Sequence, residues 1–327
     1  MTDLSTTYMG LKLRNPLMVA SCDFTSSAEG VKKCSDAGAG AVVLKSLFEE
    51  QIKAKTQITE QDMWLHGHSE AFEYVEKMGM AMGPREYLKV IKDARAASDI
   101  PVIASLNCIS PRWWVEYAGQ IAAAGADALE LNIAVLPSDA RRTGQEIENV
   151  YLDIVGALAG EIDIPFAVKI GAHFSSIAWM ADRLARRGAS ALVLFNRFYQ
   201  LDVDIDKLTL APGIKLSSPD EISLPLRWIG LLAGRVKCDL AATTGVHDAE
   251  GLIKQLLVGA SAVQVCTGLY LNGVEHMGKI LADLEAWMDK HGFAGIDDFR
   301  GKLSQEESQH PELFERLQYI KTYTGGK

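Results

Sequence analysis

The hydrophobic positions of this chain fall into short, unbroken runs separated by stretches of helical period. One local pattern recurs four times. Gly38-Ala39-Gly40-Ala41 leads into VVLK, Gly125-Ala126-Asp127-Ala128 into LELN, Gly188-Ala189-Ser190-Ala191 into LVLFN, and Gly259-Ala260-Ser261-Ala262 into VQVCT. Each leading Gly ends a helical stretch and suits a helix C-cap, where positive φ costs glycine nothing. Each following run is short, apolar and β-rich, as a strand buried on both faces must be. A second class of run lies between these: Asn15-Pro16-LMVAS, Ile100-Pro101-VIASLN, Ile164-Pro165-FAVK and Cys238-Asp239-LAATTG. Three of them open on proline, which a strand tolerates at its first residue. The two classes alternate and give eight strands. Helical segments fall between them at 26–37, 84–98, 111–124, 143–160, 174–187, 222–235, 247–258 and 270–290. Eight β–α units in one chain predict an α/β fold, a (β/α)8 TIM barrel. The competing open, doubly wound sheet wants a G-x-G-x-x-G turn after its first strand, and Ser21-Cys22-Asp23-Phe24 is not one.

Two segments exceed the minimal barrel. Residues 47–83 follow the second strand and residues 197–221 the sixth. Both insertions belong to the strand-end face where barrel enzymes do chemistry, and loops this long more often serve as lids or binding loops than as spacers. Nothing splits the chain, so 1–327 reads as one domain, with 301–327 a polar helical tail. At 48% hydrophobic residues a large core is available. The formal charge of −9 argues against a nucleic-acid partner, since phosphate binding needs a basic face. No run resembles a signal peptide or spans a bilayer, which points to a cytoplasmic protein without a membrane partner. Cys22, Cys34, Cys108, Cys238 and Cys266 are scattered without a CxxC pair. Neither disulfides nor an iron–sulfur site is expected. His66 and His68 make only an H-x-H pair, better read as solvated loop residues than as metal ligands.

The strand ends carry the chemistry. In order they offer Ser21, Lys45, Asn107, Asn132, Lys169, Asn196, Thr243-Thr244-Gly245 and Cys266-Thr267-Gly268. One lysine or asparagine there would simply reach the rim. Five at equivalent positions suggest a polar, partly anionic ligand in the barrel mouth. The TTG and CTG turns after strands 7 and 8 sit where barrels commonly bind phosphate, with small residues that admit backbone N–H groups and helix N-termini behind them. Ordinary tight βα turns would use the same residues. Together with Lys169 and the asparagines, they favour a flat, phosphorylated, hydrogen-bonding cofactor, and flavin mononucleotide (FMN) fits.

The order of these motifs resembles the dihydroorotate dehydrogenases, specifically the soluble class 1 branch. The likeness runs from about Met9 to Leu303. It is carried by MGLKLRNPLMVAS, Lys45-Ser46, GADALELN, AVK ending at Lys169, TTGVHDAEGLIKQLLVGASAVQVCTGLY and GFAGIDDFRGKL. The stretch from IASLNC to GADALELN is also similar to the FMN domain of dihydropyrimidine dehydrogenases. The resemblance implies FMN as cofactor, with Ala20 and Ser21 packed near it. Lys45 would reach flavin and substrate, and Asn107 and Asn132 would hydrogen-bond the flavin or the substrate ring. Lys169 would sit at the pyrimidine edge of the flavin. Thr244-Gly245 and Cys266-Thr267 would hold the phosphate. Asn196 would face the substrate ring, and Met78-Gly79-Met80 would cup a substrate carboxylate. It also implies a homodimer.

The departures gather on the substrate side. Where the class 1 motif resembles ELNLSCPN, this chain has ELNIAVLP, so Val135 stands at the position of the catalytic cysteine and Pro137 at that of a ring-binding asparagine. Glu76 and Arg197 also replace expected residues. Valine cannot move a proton. Cys22, Cys108, Asp139, His66 and His68 are candidate replacements, none favoured; the first two read more readily as small buried hydrophobes. Lys45, Asn132 and Asn196 remain as catalytic-side residues. The leading expectation is an FMN-dependent oxidoreductase acting on a small anionic or pyrimidine-like substrate. One alternative is a flavin-binding subunit that passes electrons to an iron–sulfur partner or regulates it. Another is a flavin-free aldolase with Lys169 or Lys45 as Schiff-base lysine.

Overall fold

Eight parallel strands close on themselves in the computed structural model, which describes residues 2–52, 83–107, 111–197, 200–213 and 216–315. In chain order they are β1 (Leu17–Val19), β2 (Ala41–Val43), β3 (Val102–Asn107), β4 (Ala128–Asn132), β5 (Phe166–Ile170), β6 (Ala191–Leu194), β7 (Asp239–Ala242) and β8 (Ala262–Val265). Each pairs with its sequence neighbours, and the ring is completed where Val263 of β8 stands opposite Leu17 of β1. The strand-opening prolines lose a donor but not an acceptor. The carbonyls of Pro16, Pro101 and Pro165 take the N–H groups of Val263, Val42 and Leu129 on adjacent strands. The glycine before each strand of the first class, Gly38, Gly125, Gly188 and Gly259, has φ between 94° and 114°, the left-handed turn that releases a helix into a strand.

The predicted helices form with ends trimmed by a few residues: α1 (Ala28–Asp36), α2 (Pro84–Ala97), α3 (Pro111–Ala123), α4 (Gly144–Leu158), α5 (Ile177–Arg186), α6 (Ser223–Leu232) and α7 (Ala249–Leu257). The last predicted helix, 270–290, is instead two, α8 (Thr267–Asn272) and α9 (His276–His291), because the chain turns at Gly273 with φ 84°. The helical tail expected from residue 301 does not form in the described part. Residues 301–315 contain turns and a short 3₁₀ helix, Pro311–Phe314, and are tied to the barrel by Leu303 N–H to Leu257 O and Gln305 N–H to Gly230 O, each 2.8 Å. The second insertion carries an antiparallel hairpin, Gln200–Asp204 with Thr209–Gly213, that exposes Val203, Ile205, Leu208 and Leu210. Much of the first insertion, residues 53–82, lies outside the described residues.

Strand side chains alternate between two cores. Outward residues such as Val42, Leu129, Val168 and Leu240 pack beneath the helices. Inward residues at the strand starts are small: Ala41, Ala128, Ala167, Ala191, Ala241 and Ala262. Their small size makes room for Tyr8, Met9 and Leu13 from an antiparallel hairpin, Thr6–Tyr8 with Leu11–Leu13, which pack into the same cluster and close the barrel floor. Asp239 at the start of β7 fastens that plug by accepting the Met9 N–H at 2.7 Å. With its floor filled by apolar groups, the barrel is open to chemistry at the other end. Among the described residues, no helix is long and apolar enough to cross a membrane.

Candidate functional site

Two residues further along, the inward positions of five strands turn polar. Ser105, Glu130, Lys169, Thr243 and Gln264 succeed the apolar layer, all buried. Lys169 is only 9% exposed, and its ammonium lies 3.7 Å from Glu130 Oε1. It donates to Gln264 Oε1 at 3.2 Å, and Gln264 Nε2 donates to Glu130 Oε2 at 2.5 Å. A buried lysine needs such partners, because an unpaired charge at low dielectric is costly. Beside this group Ser105 lies 2.8 Å from Ser46, and Ser46 lies 3.1 Å from Ser21, hydroxyl to hydroxyl. Ser105 is itself clamped at its backbone by Tyr87, whose hydroxyl accepts its N–H at 2.7 Å and donates to its carbonyl at 3.0 Å.

Above this layer opens a cavity of ≈ 430 Å³ at the strand ends. It brings together Ala20, Ser21, Lys45, Asn132 and Lys169 on one side. Asn196, Thr244, Gly245, Cys266 and Thr267 complete the predicted set that lines it. Asn107 is the exception among the described residues: it ends β3 half-buried, outside the lining, opposite Phe48. Met78, Gly79, Met80, Glu76, His66, His68 and Cys108 fall outside the described residues.

One end of the cavity is built from backbone. Thr244 and Gly245 have consecutive positive φ values, 77° and 79°. For a β-branched residue this is a strained conformation that the surroundings must enforce. A Cβ on Gly245 would stand 2.2 Å from Ile222 N, so only glycine fits there. On the facing turn, a Cβ on Gly268 would meet His247 O at 3.1 Å. Small residues and turned-out N–H groups are what an anion cradle requires. Ser217, from the second insertion, joins them. Its hydroxyl donates to Thr267 Oγ1 at 3.0 Å and lies 3.2 Å from His247 Nε2. The N-terminus of the helix after TTG is already capped. Asp248 caps α7 by accepting the Gly251 N–H at 2.9 Å, so a carboxylate already holds that terminus.

The other end is made of side chains. Asn196 Nδ2 donates to Asn132 Oδ1 at 2.6 Å, fixing two amides side by side. Lys45 pairs with Asp23 at 2.5 Å, and Tyr270 donates to the same carboxylate at 3.2 Å. The lysine hydrogen bond holds the Asp23 carboxyl below its usual range. Arg197 pairs with Glu221 at 2.8 Å, and Glu221 also accepts the Ser218 N–H. Its carboxyl too is lowered, first by the arginine hydrogen bond. Val135 is half-buried on the loop after β4, its N–H donating to the Tyr151 hydroxyl at 3.3 Å, and it does not line the cavity. Of the candidate replacement bases, Asp139 is turned to Arg141 at 2.9 Å and its carboxyl is lowered, which makes it a weak proton acceptor. Cys22 lines the cavity with Cys266; the interaction of the two thiols draws Cys22 down and, together with burial, pushes Cys266 up.

Sequence reasoning missed Glu130, Gln264, Ser46 and Ser217. The first two were within reach: they stand two residues before Asn132 and Cys266 and so share their inward face. Ser217 had no such signal, because it reaches the site from an insertion.

A backbone anion cradle, a buried ammonium and a fixed pair of amides around one cavity define a barrel protein that binds a flat, phosphorylated, hydrogen-bonding ring. Comparison with known proteins narrows the class. The family model for dihydroorotate dehydrogenase matches residues 3–288, and the chain belongs to this family of FMN-dependent oxidoreductases. It is 28% identical to the catalytic subunit of dihydroorotate dehydrogenase B (NAD(+)) of Thermoplasma acidophilum, over 92% of this chain and 99% of that one. It is 25% identical to dihydroorotate dehydrogenase A (fumarate) of Limosilactobacillus reuteri, over 88% and 94%. It is also 25% identical to the chloroplastic dihydropyrimidine dehydrogenase (NADP(+)) of Arabidopsis thaliana, over 96% and 80%.

Proposed function

We propose that this chain, as a single domain, transfers hydride between FMN and the CH–CH bond of a small anionic or pyrimidine-like ring. The observation that carries the reading is one cavity with the Thr244-Gly245 cradle at one end and Lys169 at its polar floor. When bound, FMN supplies the hydride acceptor or donor. The backbone around Thr244, Gly245, Cys266 and Thr267 would hold its phosphate. Lys169 would stand at the electron-rich edge of its ring, where a fixed positive charge favours added negative charge. Ala20 and Ser21 would pack against the ring, with Asn107 nearby. The amides of Asn132 and Asn196 would orient the substrate ring, and Lys45 would meet an anionic substituent after leaving Asp23. Met78, Gly79 and Met80 would supply further substrate contacts.

Dihydroorotate is the less favoured member of that substrate class, because Val135 offers no base where the motif places one. A flavin-free lysine aldolase is disfavoured. The family to which the chain belongs uses FMN, and both candidate lysines, Lys45 and Lys169, are paired with carboxylates. The electron-transfer alternative keeps one support: a relative's name, catalytic subunit, implies other subunits, so an iron–sulfur partner on another chain would suit. A cytoplasmic homodimer completes the proposal; the apolar residues exposed on the 200–213 hairpin are compatible with self-association.

The test is an absorbance spectrum of the purified chain followed by anaerobic addition of dihydroorotate, then of a dihydropyrimidine without the carboxylate. A flavin spectrum bleached by one of these is the expected result. The same titration with Val135→Cys asks whether the proton belongs at that position: because Val135 does not line the cavity, little change in the dihydroorotate rate is expected, and a gain on the order of 100-fold would place the base on that loop. A chain that takes up no FMN after reconstitution would sink the proposal.

A further inference from the structure

Beneath the cavity lie two polar residues to which the proposed chemistry gives no part. Glu130 is 1% exposed and does not line the cavity; Gln264 lines it and is equally buried. The Gln264 amide can be seated in only one way. Its oxygen faces the Lys169 ammonium and its nitrogen faces the Glu130 carboxylate; reversed, it would set donor against donor. So seated, it keeps lysine and glutamate at 3.7 Å, beyond the 2.7–2.9 Å typical of a charge-assisted hydrogen bond. The remaining ammonium protons are therefore not spent on the carboxylate. Lys169 lines the cavity, so they are available to what binds there. The Glu130 Oε1 atom accepts no hydrogen bond from a described residue, so its charge is screened by little besides Lys169. Glu130 stands on β4, paired directly with the lysine's own β5, and Gln264 stands on β8, which is not a neighbour of either.

We propose that Glu130, acting through Gln264 and Lys169, is a positioning residue that seats the lysine at the edge of a bound FMN ring and holds the reduction potential of that FMN down. The proposal rests on the reading of the cavity as the FMN site. The carboxylate offsets part of the positive field of Lys169, and the glutamine prevents the two from collapsing together. Removing the negative charge while keeping the shape should favour the more electron-rich state of the cofactor; removing the positive charge should do the opposite.

The experiment measures the reduction potential of FMN bound to the full chain, by equilibration with a reference dye, in wild type, Glu130→Gln, Glu130→Asp and Lys169→Met. Glu130→Gln is expected to raise the reduced-to-oxidised ratio at fixed potential on the order of tenfold. For a two-electron couple that is roughly 30 mV. Lys169→Met is expected to lower it, and Glu130→Asp, which keeps the charge, to stay closer to wild type than Glu130→Gln does. A Glu130→Gln potential that is unchanged or that falls overturns the inference while leaving the FMN reading intact. A wild-type chain that takes up no FMN overturns both. Should Glu130→Gln not fold, Gln264→Leu decides. Lys169 should then close on Glu130 and the potential should fall; an unchanged potential overturns the inference.

Discussion

Gly245→Ala tests the cofactor half of the site at its least forgiving atom. Gly245 has φ 79°, where an L-residue pays about 1–2 kcal/mol. The added Cβ would also stand 2.2 Å from Ile222 N and 2.7 Å from Ile222 Cα. Both are backbone atoms, so no side-chain rotation relieves the overlap. The turn at residues 221–222 must move, adding about 1–3 kcal/mol of overpacking. That turn carries Glu221 and its pairing with Arg197, and the cradle opens with it. Losing two charge-assisted N–H contacts to phosphate, about 1.5 kcal/mol each at least, gives on the order of 100-fold in Kd. The assay is fluorescence titration of the apo-chain with FMN, paired with thermal unfolding. Gly119→Ala serves as control: this residue lies in α3 with no atom within 4 Å of the new Cβ, so the substitution should stabilise by roughly 0.5–1 kcal/mol and leave FMN binding unchanged. If Gly245→Ala keeps its FMN Kd within about threefold of wild type, the cradle argument is wrong.

Other expectations follow from the same geometry. Tyr87→Phe strips both backbone partners from Ser105 in a buried setting and should cost about 2 kcal/mol in urea unfolding. Asp23→Asn frees Lys45 and should tighten orotate binding about fivefold by spectral titration, with weaker or equal binding counting against Lys45 as the anion contact. The folded-state pKa of Glu221 is lowered, chiefly by Arg197. Its contribution is therefore present above the ordinary carboxylate range and lost as pH falls through the lowered value. Thermal midpoints of wild type and Glu221→Gln should differ at pH 7 and converge in acid, and the partly exposed pair should be worth less than about 1 kcal/mol.

The barrel was legible because its signals are local and repeated. A glycine at a helix end, an apolar strand and a proline at a strand start each obey short-range rules, so eight strands and seven helices could be placed within a few residues. The breaks came where tertiary contacts decide. Within 270–290 the Asn272-Gly273 pair is the local turn signal, and the helical periodicity on either side hides it. The floor hairpin at 6–13 is too short to announce itself, and its residues are fixed by the alanines they cover. The polar tail at 301–315 follows the barrel surface through backbone hydrogen bonds that no periodicity encodes. Within the site, the cavity lining was visible at strand ends. Glu130 and Gln264 needed one further step, the two-residue alternation continued inward past the rim.

The two halves of the cavity differ in how tightly the fold constrains them. The end proposed to hold phosphate is a matter of backbone: two left-handed residues and glycines pressed against neighbouring main chain, where almost any substitution strains the barrel. The floor is a buried charge network whose members each need the others. The substrate end rests on half-exposed pairs, Lys45 with Asp23 and Arg197 with Glu221, and on the loop that carries Val135, where Leu136 is 65% exposed. Changes there cost little stability. A barrel built this way can keep one end of its cavity fixed while the other is rebuilt, and Val135 and Pro137, where the resemblance to the class 1 motif breaks, lie on that freer loop.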